Sequence, residues 1–334
     1  MNKNYEESET LASSRRDFLK LSSLAGAAMV LPINLFSSNL GRGNIEIGII
    51  ADVHQDVMHD GEKRLQAFIN VAKKRNPDFI IQMGDFCRPY DYNKPFLNIW
   101  NEFLGEKHHV IGNHDMDGGF SRDQVRAYWN MPSNYYSFDK QGVHFIILDG
   151  NDQNPKPWSG YKRYIGKEQQ EWLIEDLKKT NKPTVVFSHQ SLELEETGGV
   201  ANFKEIQEIF ENANSKAGFK KVMCCLSGHH HTDFMTKIND IYYVQINSAS
   251  YYWVGGDYKR IRYSTAIDKT HEYIKYTIPY KESLFTFMTI KNSKIIIESR
   301  KTEFVGPGPD DLGMPKRHPH EPIVPTISGF KMKL

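Results

Sequence analysis

The chain is short of several things, and each shortage narrows what it can be. Its 334 residues include only three cysteines, Cys87, Cys224 and Cys225, an odd number that excludes a full disulfide framework. Cys224 and Cys225 are neighbours in an apolar run, so as strand residues they point to opposite faces and read as buried thiols. Net charge is almost absent. The 42 basic residues are met by 41 acidic ones, a formal +1, so bulk charge gives no pull on nucleic acid or an anionic membrane, and no nucleic-acid scaffold is expected as partner. There is no internal repeat and no long low-complexity run. The longest apolar stretch, residues 21–36, is interrupted by Ser22, Ser23, Gly26, Pro32 and Asn34, which makes it a poor membrane span.

What precedes that stretch is specific. Residues 14–20 read Ser-Arg-Arg-Asp-Phe-Leu-Lys, and the paired Arg15-Arg16 followed by Phe18-Leu19 resembles a bacterial twin-arginine export signal. An amphipathic helix starting at a serine cap is the competing reading; the spacer 37–44 looks more like a cleavage region than a helical core. The resemblance implies the twin-arginine export machinery as a partner, a periplasmic or otherwise exported location, and no stable membrane span after processing. Residues 1–40 are therefore set apart as a signal segment. Residues 41–302 form the expected core domain, and 303–334 a tail rich in Pro and Gly, with 306–325 reading as an extended arm or linker.

Aromatic residues are plentiful: 17 Tyr, 19 Phe and 5 Trp suffice for a sizeable core with some left over. Apolar runs predict strands at 45–51, 78–83, 108–111, 184–187, 221–226 and 241–246, a hairpin over 135–148, and late strands at 284–290 and 294–299. Helical spacing predicts helices at 61–74, 94–104, 121–129, 166–179 and 202–213. Alternating β and α with a late run of β points to a layered α/β core with helices outside.

Five motifs follow predicted strands: Asp52-Val53-His54, Gly84-Asp85, Gly112-Asn113-His114-Asp115, Ser188-His189 and Gly228-His229-His230-His231. They supply carboxylates, imidazoles and one amide, ligand types suited to Mn, Fe or Zn. Asp52 and His54, two apart on chain leaving a strand, are expected to lean to one side and grip one ion. His229 and His231 are expected to repeat that geometry, with His230 turned away. A carboxylate such as Asp85 has two oxygens and can bridge two ions. Two ions roughly 3.5–4 Å apart need such a bridge to offset their repulsion.

The order of these motifs resembles the calcineurin-like metallophosphoesterase family over about residues 45–250. The resemblance implies two packed mixed β-sheets flanked by helices, a four-layer sandwich, and two divalent or trivalent metal ions. One ion would take Asp52, His54, Asp85 and His231, and the other Asp85, Asn113, His189 and His229. It implies a phosphatase or phosphodiesterase acting on a small-molecule phosphoester by attack of a metal-bridging hydroxide. His114 would act as general acid or stabilise the transition state. Protein phosphatases of this group carry an aspartate three residues after the bridging one to orient that histidine. Arg88 stands there instead, which disfavours a protein phosphatase and makes Asp115 the candidate orienter. Purple acid phosphatases would carry a tyrosine there.

Some alternatives stay open. Arg88 reads equally as a surface salt bridge or as a fork donor to phosphate. Tyr251, Tyr252 and Trp253, with the basic-aromatic stretch to Tyr276, read either as a substrate wall or as a cover over the second sheet. The loop 151–164, with Trp158, is another candidate wall. Against the enzyme stand a catalytically silent scaffold of the same fold and an envelope binding protein for glycans.

Overall fold

The computed structural model describes residues 44–193, 198–292, 294–316 and 322–333. The twin-arginine segment lies outside the described residues. Among them, no helix is long and apolar enough to cross a membrane.

The chain opens with β1 (Ile45–Ile50), α1 (Gly61–Arg75) and β2 (Phe79–Gln82), followed by α2 (Lys94–Asn101), β3 (Glu106–His109) and α3 (Arg122–Trp129). The helices sit where the sequence spacing places them. In α1, Leu65, Phe68, Ile69 and Ala72 form the buried stripe, and Asn76 closes the helix in a left-handed conformation. Ser121 and Gln124 cap α3 reciprocally, side chain to backbone in both directions. Next come β4 (Tyr136–Lys140), β5 (Val143–Ile147), α4 (Lys167–Lys179), β6 (Thr184–Phe187), α5 (Phe203–Ala217) and β7 (Val222–Ser227). They are followed by β8 (Phe234–Ile238), β9 (Ile241–Gln245), β10 (Tyr251–Trp253), β11 (Thr277–Pro279), β12 (Thr286–Lys291) and β13 (Lys294–Ile297). Short β14 (Arg300–Lys301) and β15 (Thr326–Ile327) pair with each other, and β16 (Phe330–Lys333) ends the fold.

Two six-stranded mixed sheets result, in the orders β16-β13-β12-β1-β2-β3 and β4-β5-β6-β7-β9-β8. Within them β1-β2-β3 and β5-β6-β7-β9 run parallel. Strand alternation sends one set of side chains inward and the other under the helices. Ile49, Phe79, Phe145, Val185 and Leu226 meet between the sheets. Ile50 and Ile80 pack with Phe68, Trp100 and Trp129 under one helical layer, and Ile146 and Val186 with Leu173 and Phe210 under the other. The fold is therefore the expected four-layer α/β sandwich. Cys224 falls in the central core and Cys225 under the helices, both reduced and buried, and Cys87 is a buried thiol too.

The last segment departs from expectation. The tail is not only an arm: β16 pairs with β13 and buries Met332, and Ile327 joins the central core. Strands β8, β10 and β11 are short or only half apolar, and periodicity did not predict them.

Candidate functional site

Every expected ligand leaves the carboxyl end of a parallel strand. Asp52 and His54 follow β1, Asp85 follows β2, Asn113 and His114 follow β3, His189 follows β6, and His229 and His231 follow β7. Open α/β sheets gather ligands at these ends. The strand ends are laced by backbone: Asp52 N–H donates to the Gly84 carbonyl, His54 N–H to that of Asp85, and Gly228 N–H to that of His189.

The local conformation is not the extended chain that the two-residue spacing suggested. Asp52, His54, Asp85, His229 and His231 all have positive φ, between 50° and 70°. Such conformations are costly for residues with a Cβ and cluster at functional sites. Space is also tight. A Cβ on Gly228 would collide with the Asp52 carboxylate, and one on Gly112 with the backbone and carboxylate of Asp85.

The side chains converge as two groups. Asp52, His54 and His231 form one; Asp85, His189 and His229 form the other, each with ligand atoms within 4.8 Å of one another. His229 and His231 thus part company, each going to a different group. Asp85 joins the two: its Oδ2 lies 3.6 Å from His54 Nε2 and 3.2 Å from His189 Nε2. His231 Nε2 is 3.3 Å from Asp52 Oδ1. His230, expected to turn away, pairs with Ser191 through Nε2 at 2.9 Å, yet still lines the cavity above.

The atoms fit cations. His54 Nε2 and His231 Nε2 face each other at 3.1 Å, as do His229 Nδ1 and His189 Nε2 at 3.3 Å. Two imidazole lone pairs so close need a shared proton or a shared metal. Both polar side-chain atoms of Asn113, a residue only 2 % exposed, lack a hydrogen-bond partner, as does His231 Nδ1. Buried polar atoms are rarely left this way without a role.

The electrostatics are those of a site wanting positive charge. Burial disfavours the His189 cation, yet Asp85, Asp52 and the Met83 carbonyl push its pKa up to about 10. Burial would raise Asp85, but His189 and His114 outweigh it and hold the carboxyl well below the usual range. Burial, aided by neighbouring histidines, presses His54 and His229 well below the usual imidazole range, leaving lone pairs ready for a metal.

Beside the cage, the structure corrects the role expected of Asp115. Its carboxylate is 1 % exposed and accepts from the backbone N–H groups of Asp85, Phe86 and Gly112, so it braces the loops and does not orient His114. Asp117 takes that part: His114 Nδ1 lies 2.8 Å from Asp117 Oδ2. Arg88 donates through Nη2 to the same oxygen at 3.1 Å, so it is ion-paired and also lines the cavity. The Tyr161 hydroxyl donates to Asp117 Oδ1 at 3.0 Å and lies 3.1 Å from His114 Nδ1. Burial lowers the His114 pKa, but Asp85 and Asp117 overcome this and leave it raised. Sequence reasoning missed Asp117 and Tyr161. The three-residue step from His114 to Asp117 was the available signal for the first; for the second, only membership of the loop 151–164 was. Trp158 supports that loop by donating its indole N–H to the Tyr161 carbonyl at 2.8 Å.

The cage opens into a cavity of about 1190 Å³ lined by both flanking loops. Tyr251, which the sequence leaves as either substrate wall or cover, lines the cavity but is only 2 % exposed and packs on His54 and His231, with ring centroids 4.9 and 4.8 Å away. Tyr252 also lines the cavity, but it is 6 % exposed and packs mainly in the core between the sheets. Of the tyrosines and tryptophans lining the cavity, Trp253, Tyr161 and Tyr273 are the open ones.

Solved structures share this architecture. A dimetal phosphatase from Danio rerio is 12 % identical, with 78 % of this chain and 98 % of that chain aligned at a TM-score of 0.58. The anchor in the inner membrane complex of Plasmodium is 15 % identical, with 87 % and 89 % aligned at 0.50. At such identities the likeness is one of fold. No curated protein matches the chain in sequence. The profile of calcineurin-like phosphoesterases matches residues 45–233, a span that takes in both halves of the cage and most of its supporting strands, and by that match this chain belongs to the calcineurin-like phosphoesterase family.

Proposed function

We propose that the chain hydrolyses a small-molecule phosphomonoester or phosphodiester at a paired metal centre. The carrying observation is the position of Asp85 Oδ2, within 3.6 Å of an imidazole nitrogen in each group. Asp52, His54, His231 and Asp85 would hold one ion, and Asp85, Asn113, His189 and His229 the other. Mn, Fe and Zn all suit this donor set. Bound there, the ions would supply Lewis-acid charge to phosphoryl oxygens and acidify water. The protein's own contribution surrounds that charge. Arg88, steadied by Asp117, presents a planar fork to phosphoryl oxygen. His114, with Nδ1 engaged by Asp117 and Tyr161, keeps Nε2 for the departing ester oxygen and carries the proton that it needs. Tyr251, packed on His54 and His231, and Asp115, which braces the loops, keep the imidazoles in place.

The test joins metal analysis to turnover. Purified protein is expected to hold about two metal ions per chain and to cleave 4-nitrophenyl phosphate or its bis ester. Asp85→Asn should lower occupancy of both sites, while His114→Ala should cut turnover of an alkyl phosphate and keep the metals. A chain that takes up no metal and cleaves neither ester in added Mn²⁺ would return it to the class of silent binding proteins.

We further propose that the segment around Arg15-Arg16 sends the folded chain out of the cytoplasm. Replacing both arginines with lysine should trap a reporter fusion inside the cell.

A further inference from the structure

The cavity over the cage is larger than a phosphoryl group needs. Its volume of about 1190 Å³ exceeds the roughly 300–1,000 Å³ usual for a pocket that holds a drug-sized molecule. Most of it is left for the organic part of an ester, and its lining there includes open aromatic rings beside groups such as Val57, Thr232 and Lys316. Trp253 and Tyr273 line the cavity and are 45 % and 50 % exposed. Rings this open forgo the burial that normally accounts for them.

Neither ring is loosely held. Trp253 is paired with Thr277 across β10 and β11, and its ring lies 5.8 Å from that of Tyr276 at 33°. Tyr273 lies 6.4 Å from the same Tyr276 ring. One buttress thus serves both. The reach from the cage is short: 4.9 Å from the His54 ring to Tyr251, then 6.4 Å from Tyr251 to Trp253. A phosphate at the cage with one sugar beyond it brings a base to this distance.

We propose that Trp253 and Tyr273 form a stacking platform for the ring of a phosphoester whose organic group is aromatic, supplied as a nucleotide or as an aryl ester. The proposal rests on the phosphoesterase reading and names its substrate class. Aromatic faces stack on any base or aryl ring without demanding its hydrogen-bonding pattern. The site therefore selects for a ring and not for one particular base.

The experiment measures kcat/KM of the metal-loaded chain for adenosine 5′-monophosphate, phenyl phosphate and glycerol phosphate. Equilibrium dialysis of adenosine against the metal-free chain gives a second readout that needs no turnover. Wild type should prefer the ring-bearing esters. Trp253→Ala and Tyr273→Ala should each lower the preference for adenosine monophosphate over glycerol phosphate by about fivefold or more, through KM, and weaken adenosine binding. Trp253→Phe, which restores a flat ring, should recover most of both. Losses shared by phenyl phosphate identify the ring as what is read; losses confined to adenosine monophosphate assign the platform to nucleosides. An unchanged preference in both alanine variants overturns the proposal. Adenosine binding without cleavage of any of the three esters would overturn the catalytic reading and leave the platform standing.

Discussion

Replacing Asp117 with Asn tests the arrangement around His114 most directly. The aspartate contributes a negative charge, an acceptor for the imidazole Nδ1–H, and a tether for Arg88 and Tyr161. An amide keeps the shape and loses the charge. The 2.8 Å separation is that of a charge-assisted hydrogen bond, which contributes about 1.5–3 kcal/mol. His114 and Asp117 side chains are 38 % and 24 % exposed, so solvent screens the pair and the lower part of that range applies. About 1.5–2 kcal/mol corresponds to a fall of roughly 10- to 30-fold in kcat. The fall should depend on the leaving group. An alkyl phosphate needs a proton on its departing oxygen and should show the full effect; 4-nitrophenyl phosphate needs none and should show little. Metal content should stay at the wild-type level, because Asp117 belongs to neither ligand group. An equal loss on both esters, or a loss of metal, would refute the assignment of Asp117 as the residue that positions the proton donor.

Two further outcomes probe the scaffold. Gly228→Ala should fold, as judged by circular dichroism, but bind metal more weakly, since the added methyl meets the Asp52 carboxylate. Normal metal affinity in that variant would mean that the loop yields without cost. Away from the cage, His144 is held between Asp139 and Asp176 at 2.8 and 2.7 Å. Burial lowers its pKa, but the two carboxylates outweigh this and raise it above the ordinary 6.5. A raised folded pKa means stability that is fully present below about pH 6.5 and lost as pH rises through the folded value. Urea midpoints should fall over that window, and His144→Gln should flatten the fall; an unchanged pH profile in the variant would remove His144 as its source.

Much of the sandwich was legible because its strands are buried on both faces and its helices on one. Ile45–Ile50 and Thr184–Phe187 are nearly continuous apolar runs, and α1 repeats its stripe turn by turn. Most ligands were legible because their motifs end such strands; the motif with Asn113 and His114 instead follows the polar strand β3, Glu106–His109, and was legible from its own residues. What stayed hidden depends on contacts remote in sequence. Phe330–Lys333 alternates apolar and charged residues but over only four positions, too short to announce a strand without β13 beside it. Asp117 looks like any turn aspartate until Arg88 and Tyr161 converge on it. The spacing of Asp52 and His54 suggested extended chain, whereas both residues sit in left-handed conformations that no residue pattern of this kind signals. For Tyr251 and Tyr252 the sequence leaves a substrate wall and a cover over the second sheet equally open; both line the cavity, but packing buries them almost wholly, while Trp253 stays open.

The cage has one parent in each half of the sandwich. Asp52, His54 and Asp85 hang from β1 and β2, while His189, His229 and His231 hang from β6 and β7 of the facing sheet. Neither half assembled by itself holds a complete set of donors. On the paired-metal reading, full cation uptake would follow docking of the two leaves, and the ions would then act as rivets across the seam. Stripping them should loosen the junction between the leaves before it frays either one, a sequence of events that hydrogen exchange along β1 and β7 would reveal.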